Sequence, residues 1–390
     1  MKPLTYGRQW IDDDDVAEVV SILKGDWLTQ GPTVDHFEKK LAEYIGARHV
    51  VTFANGTAAL HGAVAAAGLK HGDQLLTTPM TFAASANAAL YVGADPVFAD
   101  IDSRTFCIDV EKAEKKLEEL PRKIKAIIPV SFAGYPVDVE SLKVIAREHG
   151  AVLIEDACHA LGGYRGSNQE YRTGKRMIGC DADMTAFSFH PVKHITTGEG
   201  GAVATNSVEY AQRLRLFRNH GITRALGDFT EQPDGPWHSE MQMLGYNYRL
   251  SDIQCALGLS QLKRLDAFVE RRRDLASFYR LSLAGLPGIY QPPSHEGHAY
   301  HLFPIRVDAD ARSALFAHFM QHDIRVQVHY TPVHMHPYYR KRFGYKKGDF
   351  PEAEAFYQEE ISLPMYPLME DSDVERVVDC IKNFLKGRAK

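Results

Sequence analysis

HVVTFANGTAALHGAVAAAGL, residues 49–69, runs from a β-branched stretch straight into an Ala-rich helical stretch, with Asn55-Gly56-Thr57 at the join. The same alternation continues downstream. QLLTTP (74–79) precedes TFAASANAALYVG, and DPVFADI (95–101) precedes a charged helical segment at about 109–119. IKAIIPVS (124–131) is followed by VDVESLKVIAREHG and then by AVLIEDA (151–157). Short strands alternating with helices of this length predict an α/β fold with a mainly parallel sheet covered on both faces. The near-continuous apolar character of the strands suits central positions. After residue 207 a helical stretch reaches Phe217, a Gly/Pro/Asp-rich loop spans residues 221–236, and a long helix begins near Ser251. Beyond about 265 the chain is richer in Pro, His and Tyr, with IRVQVHY (324–330) its clearest strand. We read that region as part of a smaller α/β domain.

The chain has 390 residues, 45% of them apolar and 24% charged. This supports a sizeable core and roughly two to three domains. A net charge of -5 and the lack of a long polybasic run exclude a nucleic-acid partner; Arg271, Arg272 and Arg273 read as the solvated face of a helix. The acidic residues 12–15 read as a helix start, because carboxylates favour the positive helix end. Five scattered cysteines without paired spacing indicate a reducing compartment, without a disulfide framework or a zinc site. The segment MKPLTYGRQW lacks the apolar centre of a signal peptide. No apolar run approaches the ~20 residues needed to span a bilayer. A cytoplasmic protein with no membrane partner is expected.

Open α/β sheets bind ligands at the C-terminal ends of their strands, and four features fall there. Asn55-Gly56-Thr57 opens a helix whose free N–H groups, with the Thr57 hydroxyl, would cradle a phosphate; alone, it reads as a turn and N-cap. Asp156 ends an apolar strand, where a carboxylate needs a cationic partner, although a helix cap or a salt bridge would also explain it. His159, one turn on, either holds Asp156, packs on a ligand or is a structural hydrogen bonder. Ser188 lies near the end of the run at 184–189, and Phe82 starts a helix where its ring could stack on a planar ligand; both have ordinary core or capping explanations.

Lys193 lies in SFHPVKHITTGEGG, among short polar neighbours between apolar runs at 184–189 and 202–205. Alone it reads as a surface lysine. Desolvated, it would form a Schiff base with an aldehyde cofactor such as pyridoxal 5′-phosphate (PLP), with Asp156 facing the ring nitrogen. His334 and His336 in VHMHPYY fit none of the standard zinc motifs, so no metal is expected.

In order, NGTAAL, MTFAASANA, ADIDSRTFCID, VSFAGYPVD, LIEDACHALGG, SFHPVKHITTGEGGAV, RNHGITR and LGYNYRLSDIQCALGLSQL resemble the DegT/StrS-type sugar aminotransferases, over about residues 5–375. These are PLP-dependent enzymes acting on nucleotide-linked keto-sugars. SFHPVK…TTGEGG and the His in EDACHALGG resemble, more narrowly, the branch leading to pseudaminic acid. The resemblance implies the PLP-dependent transferase fold type I. A large PLP-binding domain (1–250), with a mainly parallel seven-stranded sheet flanked by helices, would carry an N-terminal substrate-binding segment. A smaller C-terminal α/β domain (251–390) would follow.

The resemblance further implies that Lys193 is the Schiff-base residue and Asp156 the partner of the pyridinium. Gly56, Thr57 and Ser188 would hold the phosphate, while Phe82 and His159 would flank the cofactor. Asn247, with Arg249 close by, would reach the phosphate of a neighbouring subunit in a homodimer whose active site lies at the interface. Tyr6, Asp26, Trp27, Leu28, Thr29, Gln30, His329 and Tyr330 would meet the sugar nucleotide. Two positions depart from the family pattern: His194 follows the lysine in place of proline, and Cys158 replaces Ala or Ser. Lys193 itself separates the chain from the 3-dehydratase branch, which carries histidine there. The implied reaction moves an amino group from glutamate to C4 of a UDP-linked 4-keto-6-deoxy-N-acetylhexosamine. The alternatives are another nucleotide keto-sugar (D-series 4-keto or 3-keto) or a non-catalytic, PLP-binding regulatory protein.

Overall fold

The computed structural model describes residues 3–120, 124–166 and 176–388. Seven strands form the large sheet: β1 (His49–Phe53), β2 (Gln74–Thr77), β3 (Asp95–Phe98), β4 (Ile124–Ile128), β5 (Val152–Asp156), β6 (Met184–Ser188) and β7 (Gly201–Thr205). Their spatial order is β1-β7-β6-β5-β4-β2-β3. All neighbours pair in parallel except β7, which runs antiparallel to both β6 and β1. The reversal follows from the Lys193 loop, which turns the chain back beside β6 without a crossover helix.

The helices are α1 (Asp13–Leu23), α2 (Pro32–Ile45), α3 (Gly56–Ala66), α4 (Ala83–Tyr91), α5 (Val110–Glu119), α6 (Val139–Glu148), α7 (Val208–Arg218), α8 (Asp252–Leu262), α9 (Leu265–Leu283), α10 (Ala309–Gln321), α11 (Pro337–Phe343), α12 (Pro351–Glu359) and α13 (Asp371–Arg388). Among the described residues, none is long and apolar enough to cross a membrane. The acidic run opens α1: Asp12 caps Asp15 N, and the Asp15 side chain returns a bond to the Asp12 N–H. Asp15 is itself buried against Arg264. Helix α3 buries nearly every residue because small Ala and Gly side chains let it sit between the sheet, α4 and α7.

A second apolar core joins α9, α10 and α13 to a small antiparallel sheet of β8 (Ile289–Tyr290), β9 (Phe303–Val307) and β10 (Glu360–Leu363), with Leu4 packed into it. Val333, Tyr339, Phe350 and Phe356 instead pack back on the large-sheet core.

Two sequence expectations are corrected. IRVQVHY is not a regular strand: Ile324 bridges Leu4 and Gln327 bridges Ser362, with no continuous ladder between them. Its alternation is real, since Ile324 and Val326 are buried. The main chain nevertheless leaves the sheet to carry His329 and Tyr330 toward the site. The arginine run is not a solvated face either, because Arg272 has 0% exposure. Its Nη1 donates to the carbonyls of Tyr300 (3.1 Å), His301 (3.3 Å) and Met365 (2.8 Å).

Candidate active site

The first wall is built from strand ends. Asn55 caps α3 by accepting from Ala58 N at 2.8 Å. This leaves the N–H groups of Gly56 and Thr57 for an anion at the helix start. Gly56 is required there, because a Cβ would meet Ser188 Cβ at 2.9 Å and Cys158 Sγ at 3.4 Å. Gly201 lets β7 approach as closely: its Cβ would lie 2.6 Å from the Asn55 carbonyl. The absence of a Cβ at Gly56 therefore brings the start of α3 against Ser188, placing its hydroxyl beside the free N–H groups of that helix end.

Asp156 ends β5 and is buried. Its Oδ2 accepts from Ser85 Oγ at 2.6 Å and its Oδ1 from Cys158 N at 3.1 Å. Thr81 Oγ1 lies 2.7 Å from Ser85 Oγ, so with Ser85 donating to the carboxylate, Thr81 donates to Ser85. The carboxylate is oriented from below and makes no ion pair at salt-bridge distance among the described residues. A pyridinium N–H suits that donor set.

Lys193 is half-buried. Burial lowers its amine from 10.5 to about 8, opposed by Cys158 and Asp156 and assisted by the Arg272 guanidinium. A far larger share of the lysine is thus neutral near physiological pH than for an ordinary lysine, which favours a nucleophilic amine. Its Nζ lies 3.3 Å from His301 Nε2. Burial keeps His301 neutral, with its pKa well below the ordinary value, and its Nδ1 is buried without a partner. His194 turns away from the amine, its Nε2 3.0 Å from the Ala299 carbonyl, and thereby pins the lysine loop to the 299–302 turn.

The opposite wall consists of loops. His159 does not bond Asp156. Its Nδ1 accepts from Ala133 N at 3.3 Å, so Nε2 carries the proton and donates to Tyr330 Oη at 3.1 Å. The Tyr330 hydroxyl proton is then free to point elsewhere. The His159 and His301 rings lie 4.4 Å apart, Phe82 and Tyr330 6.0 Å, and Tyr6 and His329 5.5 Å. Phe82 is 60% exposed.

His329 is held from behind. Its N–H donates to Glu360 Oε2 at 2.8 Å, and Ser362 Oγ lies 2.9 Å from His329 Nδ1 and 2.5 Å from Glu360 Oε1. With Glu360 ionised, Ser362 donates to it and accepts from His329 Nδ1, leaving Nε2 as an acceptor. With Glu360 protonated both bonds reverse and Nε2 becomes a donor. Burial pushes Glu360 up to about 8, which puts the changeover close to neutral pH.

One chain does not bring every candidate together. Asp26, Trp27, Leu28, Thr29 and Gln30 are exposed. Their segment is fastened to the start of α8, where Asp252 N donates to the Leu28 carbonyl and Asp252 Oδ2 accepts from Gly31 N. Asn247 is exposed and bridges Asn219, to which Arg249 Nη1 also donates at 2.7 Å. Gln30 and Arg249 line a common cavity that excludes Lys193. Tyr248 accepts from Ala54 N at 2.8 Å, so this segment runs beside the phosphate cradle of its own chain.

Sequence reasoning missed Ser85, Thr81, His301, Arg272, Glu360 and Ser362. Only Thr81 and Ser85, four residues apart at a helix start, left a local signal. His334 pairs with Glu354 at 3.0 Å.

Residues 9–382 match the DegT/DnrJ/EryC1/StrS aminotransferase family. The chain is 40% identical to the Bacillus subtilis spore coat polysaccharide biosynthesis protein SpsC, covering 98% of this chain and 97% of that protein. It is 39% identical to the Campylobacter jejuni UDP-4-amino-4,6-dideoxy-N-acetyl-β-L-altrosamine transaminase, covering 98% of each. Its fold is similar to that of Helicobacter pylori PseC, an aminotransferase involved in the biosynthesis of pseudoaminic acid. There the TM-score is 0.88 at 32% identity, over 99% of this chain and 100% of that one. The PLP form of the Streptococcus pneumoniae putative sugar aminotransferase Spr1654 aligns over 99% of both chains, with a TM-score of 0.88 and 27% identity. The chain belongs to the DegT/DnrJ/EryC1/StrS aminotransferase family and is a sugar aminotransferase of PLP fold type I, with pyridoxal 5′-phosphate as its cofactor.

Proposed function

We propose that this enzyme transfers an amino group from glutamate to C4 of a UDP-linked 4-keto-6-deoxy-N-acetylhexosamine. The product would be UDP-4-amino-4,6-dideoxy-N-acetyl-β-L-altrosamine, destined for pseudaminic acid. The similarity to the Campylobacter transaminase, 39% over nearly the full length of both chains, carries this choice of sugar.

When bound, PLP supplies an aldehyde that captures an amine and a ring that takes up the electron pair of a broken C–H bond. Lys193 is the residue that holds it. Released, its amine takes the α-proton of glutamate and, in the second half-reaction, delivers a proton to sugar C4. Asp156, oriented by Ser85, faces the ring nitrogen; Gly56, Thr57 and Ser188 hold the phosphate; His159 and Phe82 flank the ring. Tyr6, His329 and Tyr330 meet the sugar nucleotide, with residues 26–30 completing that surface. Two half-reactions sharing one site make the kinetics ping-pong.

The working unit in this reading is a cytoplasmic homodimer, with Asn247 and Arg249 reaching the partner's phosphate. The exposure of Trp27, Leu28, Met241 and Leu244 supports a covering partner, since apolar side chains of this size cluster at interfaces. The separate core of α9, α10 and α13 supports a smaller second domain within the proposed 251–390, beside the large domain of 1–250.

Incubation with each UDP-4-keto and UDP-3-keto epimer plus glutamate, followed by NMR of the product, tests the assignment. The β-L-altro 4-amine is expected, and amination of another epimer alone overturns it. The 40% identity to SpsC favours, as a second reading, a different nucleotide keto-sugar for a surface polysaccharide. The same experiment separates the two.

A further inference from the structure

His318 lies in the last turn of α10, and His322 caps that helix four residues on. Residues at i and i+4 share a helix face, and here both imidazoles face Cys380 of α13. One ligand atom from each of His318, His322 and Cys380 lies within 4.8 Å of the other two.

The hydrogen bonds leave the right atoms free. His322 Nδ1 lies 2.8 Å from the His318 carbonyl. A carbonyl only accepts, so Nδ1 carries the proton and the Nε2 lone pair is left over. His318 Nε2 is buried without any partner, and the Cys380 carbonyl lies close to the His318 ring. His322 is thus prepared as metal-ligating imidazoles are, with one nitrogen anchored to a main-chain oxygen and the other left for an ion. The Cys380 thiol is 5% exposed, and burial pushes it up to about 11. Arg376 donates to the His322 carbonyl at 2.6 Å, and its charge offsets part of that rise.

We propose that His318, His322 and Cys380 form a zinc site joining α10 to α13, separate from the PLP site. Two imidazoles and one thiolate suit a borderline-soft ion of tetrahedral habit. Exposed His322 leaves the fourth position to water. On binding, the Sγ–H bond is replaced by Sγ–Zn and the proton leaves to solvent. Cysteine spacing alone concealed the site, because its ligands come from helices 58 residues apart in sequence, counting from His322 to Cys380.

The test uses the chelator-treated holoenzyme, zinc titration calorimetry and a metal count after gel filtration. The wild type is expected to take up a single zinc per chain, with a rise in thermal midpoint. His322→Ala, on the exposed helix end, and Cys380→Ser are each expected to weaken binding by at least about tenfold and to abolish that rise. No uptake by the wild type, or unchanged affinity in both variants, overturns the proposal. Cobalt(II) gives a second readout: a sulfur-to-metal charge-transfer band in the wild-type-minus-Cys380→Ser difference spectrum, whose absence also overturns it.

Discussion

On the cofactor side of the site, Gly56, Thr57, Asp156 and Ser188 hang from strand ends or from the first turn of the following helix. On the facing side, His301, His329 and Tyr330 hang from loops whose positions are set by buried side chains: Arg272 beneath the 299–302 turn, Glu360 and Ser362 behind His329, His159 beside Tyr330. Main-chain ladders hold the first wall, so substitution of its functional side chains acts mainly on the chemistry, whereas Gly56 and Gly201 tolerate no side chain. Polar bonds hold the second, so one substitution or a change of pH moves it.

The largest expected effect breaks the first wall at its centre. Lys193→Ala should lower both half-reactions by at least about 10³-fold, within the range general acid–base groups contribute. Single-turnover spectra with glutamate alone and with the keto-sugar alone would read this, and appreciable residual turnover would refute the assigned role. Ser85→Ala is smaller. Loss of one hydroxyl donor to a buried carboxylate, about 1–2 kcal/mol, should lower kcat roughly tenfold, with little change in the KM for the sugar.

The facing wall is probed through protonation. Only the neutral amine attacks an aldehyde. PLP rebinding to the apo-protein should therefore speed up with pH and level off above about 8, well below the usual lysine value of 10.5. Arg272→Met removes a cation that lowers this amine and should move the plateau to higher pH. An unmoved plateau would show that Arg272 serves the turn alone. Smallest is Glu360→Gln. In the wild type, the KM for the sugar nucleotide should vary as pH crosses about 8 and the His329 bonds reverse. In the variant that variation should disappear, leaving kcat for the glutamate half-reaction intact.

The parallel sheet and the first wall were legible because their signals are local: an apolar run, then Asn-Gly-Thr, Asp or a lone lysine within a few residues. The second wall was not. Ser85 acts on a carboxylate 71 positions away and Lys193 meets a histidine 108 positions on, distances over which a single sequence carries no pairing signal. Arg272 was misread because neighbouring arginines imply a solvated face, whereas three convergent carbonyls draw this one inside. IRVQVHY had the right alternation for a strand, yet its main chain diverges to present His329 and Tyr330.

The attachment of PLP to Lys193 is tested most directly by borohydride reduction of the holoenzyme, proteolysis and mass mapping of the labelled peptide. The account predicts a pyridoxyl tag on Lys193 alone; a tag on another lysine, or none, would contradict it.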